Sequence, residues 1–127
     1  MNTILLYLWC LPQNLLGLLV KNITKARKIN DMLLGEYYEY DLKWGSVSLG
    51  EYIFLCPQHY GLKHVLTHEL GHRHQSRMLG WFYIPVIGLP SIVWAGCFKW
   101  YRSMFGVDYY DFYTEKWADK IAGINRR

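Results

Sequence analysis

The motif His-Glu-x-x-His at residues 68–72 places the strongest constraint on how this chain folds. Residues four apart lie on the same face of an α-helix, so a helix here directs the imidazoles of His68 and His72 toward one point. Both rings can then reach one metal ion at about 2.0–2.1 Å. Glu69 lies beside such an ion, where it can take a proton from water. The motif therefore predicts a helix with two metal ligands and a general base.

A third ligand must come from elsewhere, because a catalytic zinc site has three protein ligands and a water. A glycine at position 75 and a histidine at position 78 would supply it nearby, but these residues are Gln75 and Met78. A later segment contains Glu115, and Asp119 follows one helical turn on. Glu115 can give a carboxylate oxygen to the ion. Asp119 can accept the free ring N–H of a ligand histidine and fix its orientation.

The other histidines are weaker candidates. His64, His68 and His72 would form one stripe, but this stripe spans roughly 11 Å, too far for three rings to converge on one ion. His74 points to a different face of the predicted helix. We therefore interpret His59, His64 and His74 as surface residues or as supports behind the ligands.

The two motifs resemble those of the gluzincins, a family of zinc metallopeptidases. The sequence His-Glu-Leu-Gly-His at 68–72 is followed by Glu-Lys-Trp-Ala-Asp at 115–119. This pair is similar to the His-Glu-x-Gly-His and Glu-x-x-Ala-Asp helices of membrane-associated gluzincins related to the prenyl-protein CAAX endopeptidase and HtpX. The resemblance covers these motifs and their order. The chain is shorter than those enzymes and looks like a minimal gluzincin core.

The resemblance implies a zincin-like α+β fold and a Zn²⁺ cofactor. The metal ligands would be His68, His72 and Glu115, and Glu69 would be the catalytic residue. Asp119 would hold a ligand histidine. The implied reaction is hydrolysis of a peptide bond in a peptide or protein substrate.

Composition and charge point to one small domain near a membrane. A chain of 127 residues is expected to form one domain with one core. The formal net charge is +4, and basic residues cluster beside the apolar stretches without the aromatic interleaving of nucleic-acid modules. This pattern favours anionic membrane lipid over nucleic acid as a partner. Three widely spaced cysteines indicate a reducing compartment. Cys10 and Cys97, within apolar runs, are interpreted as small buried hydrophobic residues.

The first apolar run covers residues 4–20 and is broken by the polar pair Gln13 and Asn14 after Pro12. About 17 residues is the lower limit for a membrane-spanning helix, and the polar break leaves open the alternative of an amphipathic or core helix that only lies on the membrane. The start of the chain lacks the charge and cleavage site of a signal peptide. The basic residues that follow the run predict that the next part of the chain, with the active site, lies on the cytoplasmic side.

The first helix is expected to continue to about Leu34 and end at Gly35. Residues 1–34 would thus form a membrane-associated helix, and residues 37–123 the metallopeptidase core. Alternating apolar and polar residues predict a small β-hairpin or sheet over 37–55. Its edge at 45–55 is expected to pair with an extended peptide substrate. The alternative is a purely structural hairpin.

Two further helices complete the predicted core. The active helix is expected from about Leu62 to Leu79, with a stop at Gly80. Gly71 in its interior costs about 1 kcal/mol relative to alanine, which predicts close approach of a neighbouring strand or helix. The last helix is expected to begin near Asp108 and to end at Gly123.

A second apolar run covers residues 81–98 and is too short to cross a bilayer twice. A single crossing would separate Glu115 from the histidines. We therefore expect a re-entrant or interfacial apolar hairpin that reverses between Pro85 and Pro90, with a hairpin inside the core as the alternative. Basic residues on both flanks, Arg77 and Lys99, predict that both ends stay on the cytoplasmic side.

Two questions stay open at this level. A donor for the transition-state oxyanion is required, and the candidates are His74, Tyr109, Tyr110 and Tyr113. The competing function is a membrane-associated zinc-binding or structural protein without catalytic activity, in which four ligands close the zinc site or zinc is absent. A third possibility is a small membrane protein in which the motif is fortuitous and the aromatic residues are interfacial anchors.

Overall fold

The chain adopts an α+β fold in a computed structural model that describes residues 3–31, 35–41 and 45–124. The described residues form six α-helices and a four-stranded mixed sheet. The helices are α1 Thr3–Trp9, α2 Leu11–Thr24, α3 Lys63–Leu79, α4 Leu89–Cys97, α5 Lys99–Phe105 and α6 Tyr113–Ala122. The strands are β1 Arg27–Asp31, β2 Gly35–Glu39, β3 Val47–Leu49 and β4 Tyr52–Leu55.

The sheet has the order β1-β2-β4-β3, so β1 and β3 are its edges. β1 pairs with β2 and β3 pairs with β4 in antiparallel fashion, whereas β2 and β4 are parallel. The strands predicted over residues 37–55 are confirmed as β2, β3 and β4. Residues 42–44 of that prediction lie outside the described part. The β3–β4 register pairs Val47 with Phe54 and Leu49 with Tyr52.

The expected helix through Leu34 is wrong. α2 ends at Thr24, and Lys25 follows in a left-handed conformation with φ of 53°. Residues Arg27–Asp31 then form β1, whose backbone pairs along its whole length with β2. Arg27 also forms an ion pair with Glu39 across the two strands. This antiparallel pairing with the next strand outweighs the moderate helix preference of the segment. The predicted end near Leu34 lies outside the described residues.

The first apolar run forms two helices rather than one. α1 and α2 meet at Cys10 with a bend of 92°, and no single helix in the described part of the chain is long and apolar enough to cross a membrane. The polar residues in the middle of the run face inward. Gln13 donates from Nε2 to Ser76 Oγ and to the carbonyl of Gly80, both at 2.8 Å. Asn14 accepts from the backbone N–H of Glu51 at 2.7 Å. α2 is thereby fixed to α3 and to the β3–β4 turn.

The core lies on both faces of the sheet. Alternation along β4 places Ile53 and Leu55 on one face, where they pack with Val65 and Leu66 of α3. Phe54 lies on the other face and contributes to a second cluster, which includes Tyr38, Tyr40 and Cys56. The sheet therefore supports α3 from behind.

The cysteine prediction is half correct. Cys10 is fully buried, and its thiol lies 3.3 Å from the carbonyl of Ser76. Cys97 is exposed, because it is the last residue of α4 and lies at the end that does not pack on the core. All three cysteines are free thiols.

The helix of the His-Glu-x-x-His motif is confirmed to within one residue at its start. α3 runs from Lys63 to Leu79 and ends at Gly80. The predicted close approach at Gly71 is also confirmed. A Cβ there would lie 2.9 Å from the carbonyl carbon of Ala118 in α6 and would overlap its oxygen. The glycine therefore allows α3 and α6 to cross in backbone contact.

The last helix begins later than predicted. Asp108 caps a short 3₁₀ turn, Tyr109–Asp111, by accepting from the Tyr110 N–H at 2.9 Å. α6 itself starts at Tyr113 and ends at Gly123, the predicted stop.

The apolar hairpin expected at residues 81–98 is wrong. A π-helical turn, Ile84–Gly88, leads directly into α4, so the segment between Pro85 and Pro90 continues as helix. Each proline lies in the first turn of its helical segment, where the missing N–H costs no hydrogen bond. α4 packs beside α6, with the Trp94 ring stacked on Phe112 at 4.7 Å between centroids.

Candidate metal centre

Two crossing helices bring the predicted ligands together. His68 and His72 lie one turn apart on α3, and Glu115 lies in the first turn of α6. All three side chains are buried, and their ligand atoms lie within 4.8 Å of one another. The Nε2 atoms of His68 and His72 lie 3.4 and 3.1 Å from Oε1 of Glu115. These residues form one cluster that could hold a metal ion.

The Nδ1 atom of each imidazole, which is not directed at Glu115, has a different partner. Nδ1 of His68 donates to Oδ1 of Asp119 at 2.7 Å. Nδ1 of His72 donates to Oε1 of Gln75 at 2.8 Å, and Gln75 donates in turn to the carbonyl of Thr114 at 3.1 Å. In the neutral form of each ring, a proton on Nδ1 leaves the Nε2 lone pair directed at the cluster. The arrangement therefore orients both histidines for metal binding.

The two oxygens of Glu115 have separate surroundings. Oε1 faces both imidazoles and accepts a hydrogen bond from the hydroxyl of Tyr109 at 2.8 Å. Oε2 accepts from Ser91 Oγ at 3.0 Å and from Thr114 Oγ1 at 2.8 Å. With Oε2 held by two hydroxyls, Oε1 is the oxygen that is presented to an ion.

Sequence reasoning did not assign Gln75, Ser91 and Thr114 to the site. Gln75 lies one turn beyond His72 on the motif helix, so its spacing could have indicated a partner for that ring. Thr114 adjoins Glu115, but hydroxyl residues beside an acid are common. The sequence did not indicate a role for Ser91, because its contact with Glu115 depends on where α4 packs.

Glu69 lies next to the cluster and is buried, yet its Oε2 has no hydrogen-bond partner among the residues that the structure describes. Buried carboxylate oxygens are normally paired, so an unpaired one marks a place for a further group. Burial raises the pKa of Glu69. The carboxylate is therefore a stronger base than an exposed glutamate and is open to a water molecule.

Protons occupy the cluster when metal is absent. Burial alone would lower the pKa of His72, but the hydrogen bond and charge of Glu115 outweigh it and raise the pKa to about 9. The pKa of His68 is raised for the same reason. Burial would raise the pKa of Glu115, but the two imidazoles hold it well below its usual range. The surroundings of the two imidazoles thus favour their protonated, positively charged form beside the Glu115 carboxylate.

The predicted oxyanion donors are placed very differently. The Tyr109 hydroxyl lies at the cluster, as described, and the edge of the Tyr110 ring faces His68 at 5.1 Å between centroids. The Tyr113 hydroxyl donates to the carbonyl of Val86 instead. His74 is exposed and lines a groove that contains no residue of the cluster.

Tyr83 is a residue near the candidate site that the sequence did not indicate. It is buried, and burial together with the charges of Glu69 and Glu115 raises its pKa well above the usual value. Its phenol is therefore neutral near the two carboxylates. Its position in an apolar run gave no sign of this.

The histidines set aside from the sequence lie outside the cluster. His59 Nδ1 lies 2.7 Å from Ser46 Oγ and 3.2 Å from the thiol of Cys56. His64 is exposed.

Comparison with known proteins gives this chain no family. No protein-family model matches it, and no curated protein or solved structure matches it either. The function is therefore inferred from the geometry and chemistry of the cluster.

Proposed function

We propose that the chain is a zinc-dependent metallopeptidase with a zincin-like, gluzincin-type core. The observation that carries this proposal is the convergence of His68, His72 and Glu115 beside the unpaired carboxylate of Glu69. Three ligands and a free base are what a hydrolytic zinc site requires. An ion-pair network that served stability alone would give no role to a buried unpaired oxygen.

Zinc suits this donor set better than calcium or magnesium. Two imidazoles and one carboxylate are typical zinc ligands, whereas calcium and magnesium prefer oxygen ligands alone. Ligand atoms bound tetrahedrally at 2.0–2.2 Å lie about 3.3–3.6 Å apart. The distances of 3.1 and 3.4 Å between the imidazole nitrogens and Glu115 Oε1 are close to that spacing. All the ligand atoms lie within 4.8 Å of one another, so small side-chain movements would bring them to one ion.

In the proposed reaction, separate residues of the chain transfer the proton, stabilise the oxyanion and hold the ligands. Bound zinc would polarise the substrate carbonyl and lower the pKa of water toward 7. Glu69 accepts a proton from the attacking water and delivers it to the leaving amine. Tyr109 is the candidate that lies close enough to donate to the developing oxyanion. Asp119 and Gln75 keep the two imidazoles in place.

An extended peptide is the proposed substrate. β3 is an edge strand of the sheet, and both β3 and β4 pack against α3. An edge strand can pair with a substrate backbone in extended form. This position supports β3, within the predicted segment 45–55, as the peptide-binding edge.

The alternative is a zinc-binding or structural protein without catalytic activity. The Tyr109 hydroxyl favours this alternative, because it lies 2.8 Å from the oxygen on which both imidazoles converge. In a closed site the Tyr109 hydroxyl would occupy the fourth coordination position of the zinc, which a catalytic site leaves to water. Tyr109→Phe separates the two functions: a peptidase keeps its zinc and turns over more slowly, whereas a closed site loses zinc affinity.

The function is tested by Glu69→Gln. This variant should bind zinc as the parent does and lose cleavage of a quenched-fluorescence library of unstructured peptides by roughly 10²–10⁴-fold, because the general base is gone. Glu36→Gln, a change at an exposed glutamate of β2, is the matched control and should cleave normally. Parent-level turnover by the Glu69 variant would remove the proposed mechanism.

A further inference from the structure

A groove lies between α3 and α6 and contains none of the residues of the metal cluster. Its volume is about 300 Å³. Thr67, Arg73, His74 and Arg77 form its polar lining, and Ile121 and Ala122 are among its apolar residues. No acidic side chain lines it. The groove is therefore cationic on one side and apolar on the other.

The two arginines of this groove differ in their partners. Arg77 forms a two-pronged ion pair with Glu51, with Nε to Oε2 at 3.0 Å and a terminal nitrogen to Oε1 at 2.6 Å. Arg73 is half-buried and makes no hydrogen bond or ion pair with any described residue. Arg73 is thus a cation that has no counter-charge in contact with it among the described residues.

A half-buried guanidinium that has no partner in the described part of the chain indicates the chemistry of a ligand. Its planar fork of N–H donors matches two oxygens of a phosphate or carboxylate. An anion in the groove would also relieve the repulsion between Arg73 and Arg77, which lie four residues apart on α3. The apolar residues beside the arginines favour a ligand that carries hydrocarbon next to its charge.

Exposed apolar side chains of α1 and of the turn after α3 are linked to the groove through Arg77. The indole of Trp9 donates to the carbonyl of Arg77 at 3.0 Å, and the indole of Trp81 donates to the carbonyl of Leu8 at 3.0 Å. Leu8, Trp81 and Phe82 are 50, 57 and 65% exposed. Together with Ile4 and Leu5 of α1, these side chains form an apolar patch on the protein surface. We call this set the α1 patch; tryptophan-bearing patches of this kind suit the interface of a bilayer.

We propose that the groove binds the phosphate of an anionic phospholipid through Arg73 while the α1 patch lies in the bilayer interface. The protein then sits on one leaflet without crossing it. Gln13 and Asn14 fit this placement, because their bonds to α3 and the β3–β4 turn keep the polar face of α2 against the protein. The proposal is independent of peptidase activity, since the ligands His68, His72 and Glu115 and the base Glu69 do not line the groove.

Vesicle flotation of the full chain tests the proposal. The chain should float with vesicles of phosphatidylcholine and phosphatidic acid, and only weakly with phosphatidylcholine alone. Arg73→Gln should weaken binding to the anionic vesicles at least about fivefold, the effect of one cation at a charged surface. Arg73→Lys should recover part of the vesicle binding lost in Arg73→Gln, because lysine restores the positive charge without the planar guanidinium donors. Phe82→Ser should weaken binding to vesicles through the α1 patch.

Matched controls make the outcome decisive. Lys116→Gln removes an exposed cation outside the groove and should float like the parent. Near-ultraviolet circular dichroism and zinc content of each variant show that the fold and the metal site are intact. Equal flotation of the parent and Arg73→Gln would overturn the proposal. So would unchanged flotation of Phe82→Ser together with displacement of the chain from vesicles by millimolar inorganic phosphate, which would identify a soluble phosphate compound as the ligand.

Discussion

His68 and His72 occupy equivalent positions on α3 but are supported by different side chains. His68 donates to the carboxylate of Asp119, whereas His72 donates to the neutral amide of Gln75. A carboxylate partner raises the basicity of an imidazole more than an amide does, because its negative charge stabilises positive charge on the ring. His68 should therefore be the stronger of the two nitrogen ligands.

Asp119→Asn tests the support of His68. Asparagine keeps an acceptor for Nδ1 but removes the charge, so we expect the zinc affinity to fall about 10–100-fold with the fold intact. The measurement is competition with a chelator of known affinity. Asp111→Asn, at an exposed position before α6, is the control. An unchanged affinity in Asp119→Asn would show that the charge of Asp119 does not support zinc binding by His68.

Zinc binding should also be coupled to pH. In the metal-free protein the pKa of His72 is raised from 6.5 to about 9, so the ring carries a proton at pH 7 that zinc must displace. The affinity should therefore rise with pH up to about 9, by about tenfold per pH unit for each proton released. Titration calorimetry in buffers of different ionisation enthalpy measures this release. A zinc affinity that is flat from pH 6.5 to 9 would contradict the raised pKa.

At the scale of elements, the crossing of α3 and α6 determines whether the site exists. His68 and His72 lie on one helix, Glu115 and Asp119 lie on the other, and the crossing point is Gly71 against Ala118. Any increase in the helix separation would move Glu115 away from the imidazoles. The small residues at this contact are therefore part of the metal site, although they bind nothing.

Gly71→Ala should destabilise the protein despite the better helix propensity of alanine. The gain of about 1 kcal/mol in propensity is outweighed by overlap with the backbone of Ala118, for a net loss of about 1–2 kcal/mol in the free energy of unfolding. Urea denaturation measures this loss. Gly96→Ala in α4, where a Cβ meets nothing within 4 Å, is the control and should stabilise by about 0.4–1 kcal/mol. Equal stabilisation in both variants would show that the helices do not touch at Gly71.

The sequence predicted elements with local patterns and missed those that depend on distant packing. α3, its glycine and the stop at Gly123 follow from periodicity and helix-end signals. β1 could not be predicted, because Arg27–Asp31 becomes a strand only through pairing with β2. The prediction of an apolar hairpin is wrong for a related reason. A π-helical turn accommodates the prolines, and α4 packs on α6 without a reversal of the chain.

The same distinction holds within the candidate site. Spacing of four residues was enough to propose the pairs His68 with His72 and Glu115 with Asp119. The bond from Ser91 to Glu115 joins residues 24 apart, on two helices whose packing no local pattern specifies. Side chains that support ligands from other elements are therefore the part of a site that a single sequence reveals least.

For the whole molecule, the metal cluster is the place where separate parts of the fold meet. α3 is supported by the sheet on one side and crossed by α6, and α2 is bonded to α3 near its end. α4 adds the Ser91 contact to Glu115. An ion bound here joins α3 to α6 directly, so zinc should stabilise the whole fold by mass action.

The metal content of the purified chain tests the central claim most directly. Elemental analysis of the parent, of His68→Ala and of Glu115→Ala measures the zinc bound per chain after dialysis against trace-metal buffer. The account predicts one zinc per parent chain and loss of that zinc in both variants, because each leaves two protein ligands where three are required. Full retention of zinc by Glu115→Ala, with affinity equal to the parent, would contradict the proposed ligand set and the gluzincin-type function built on it.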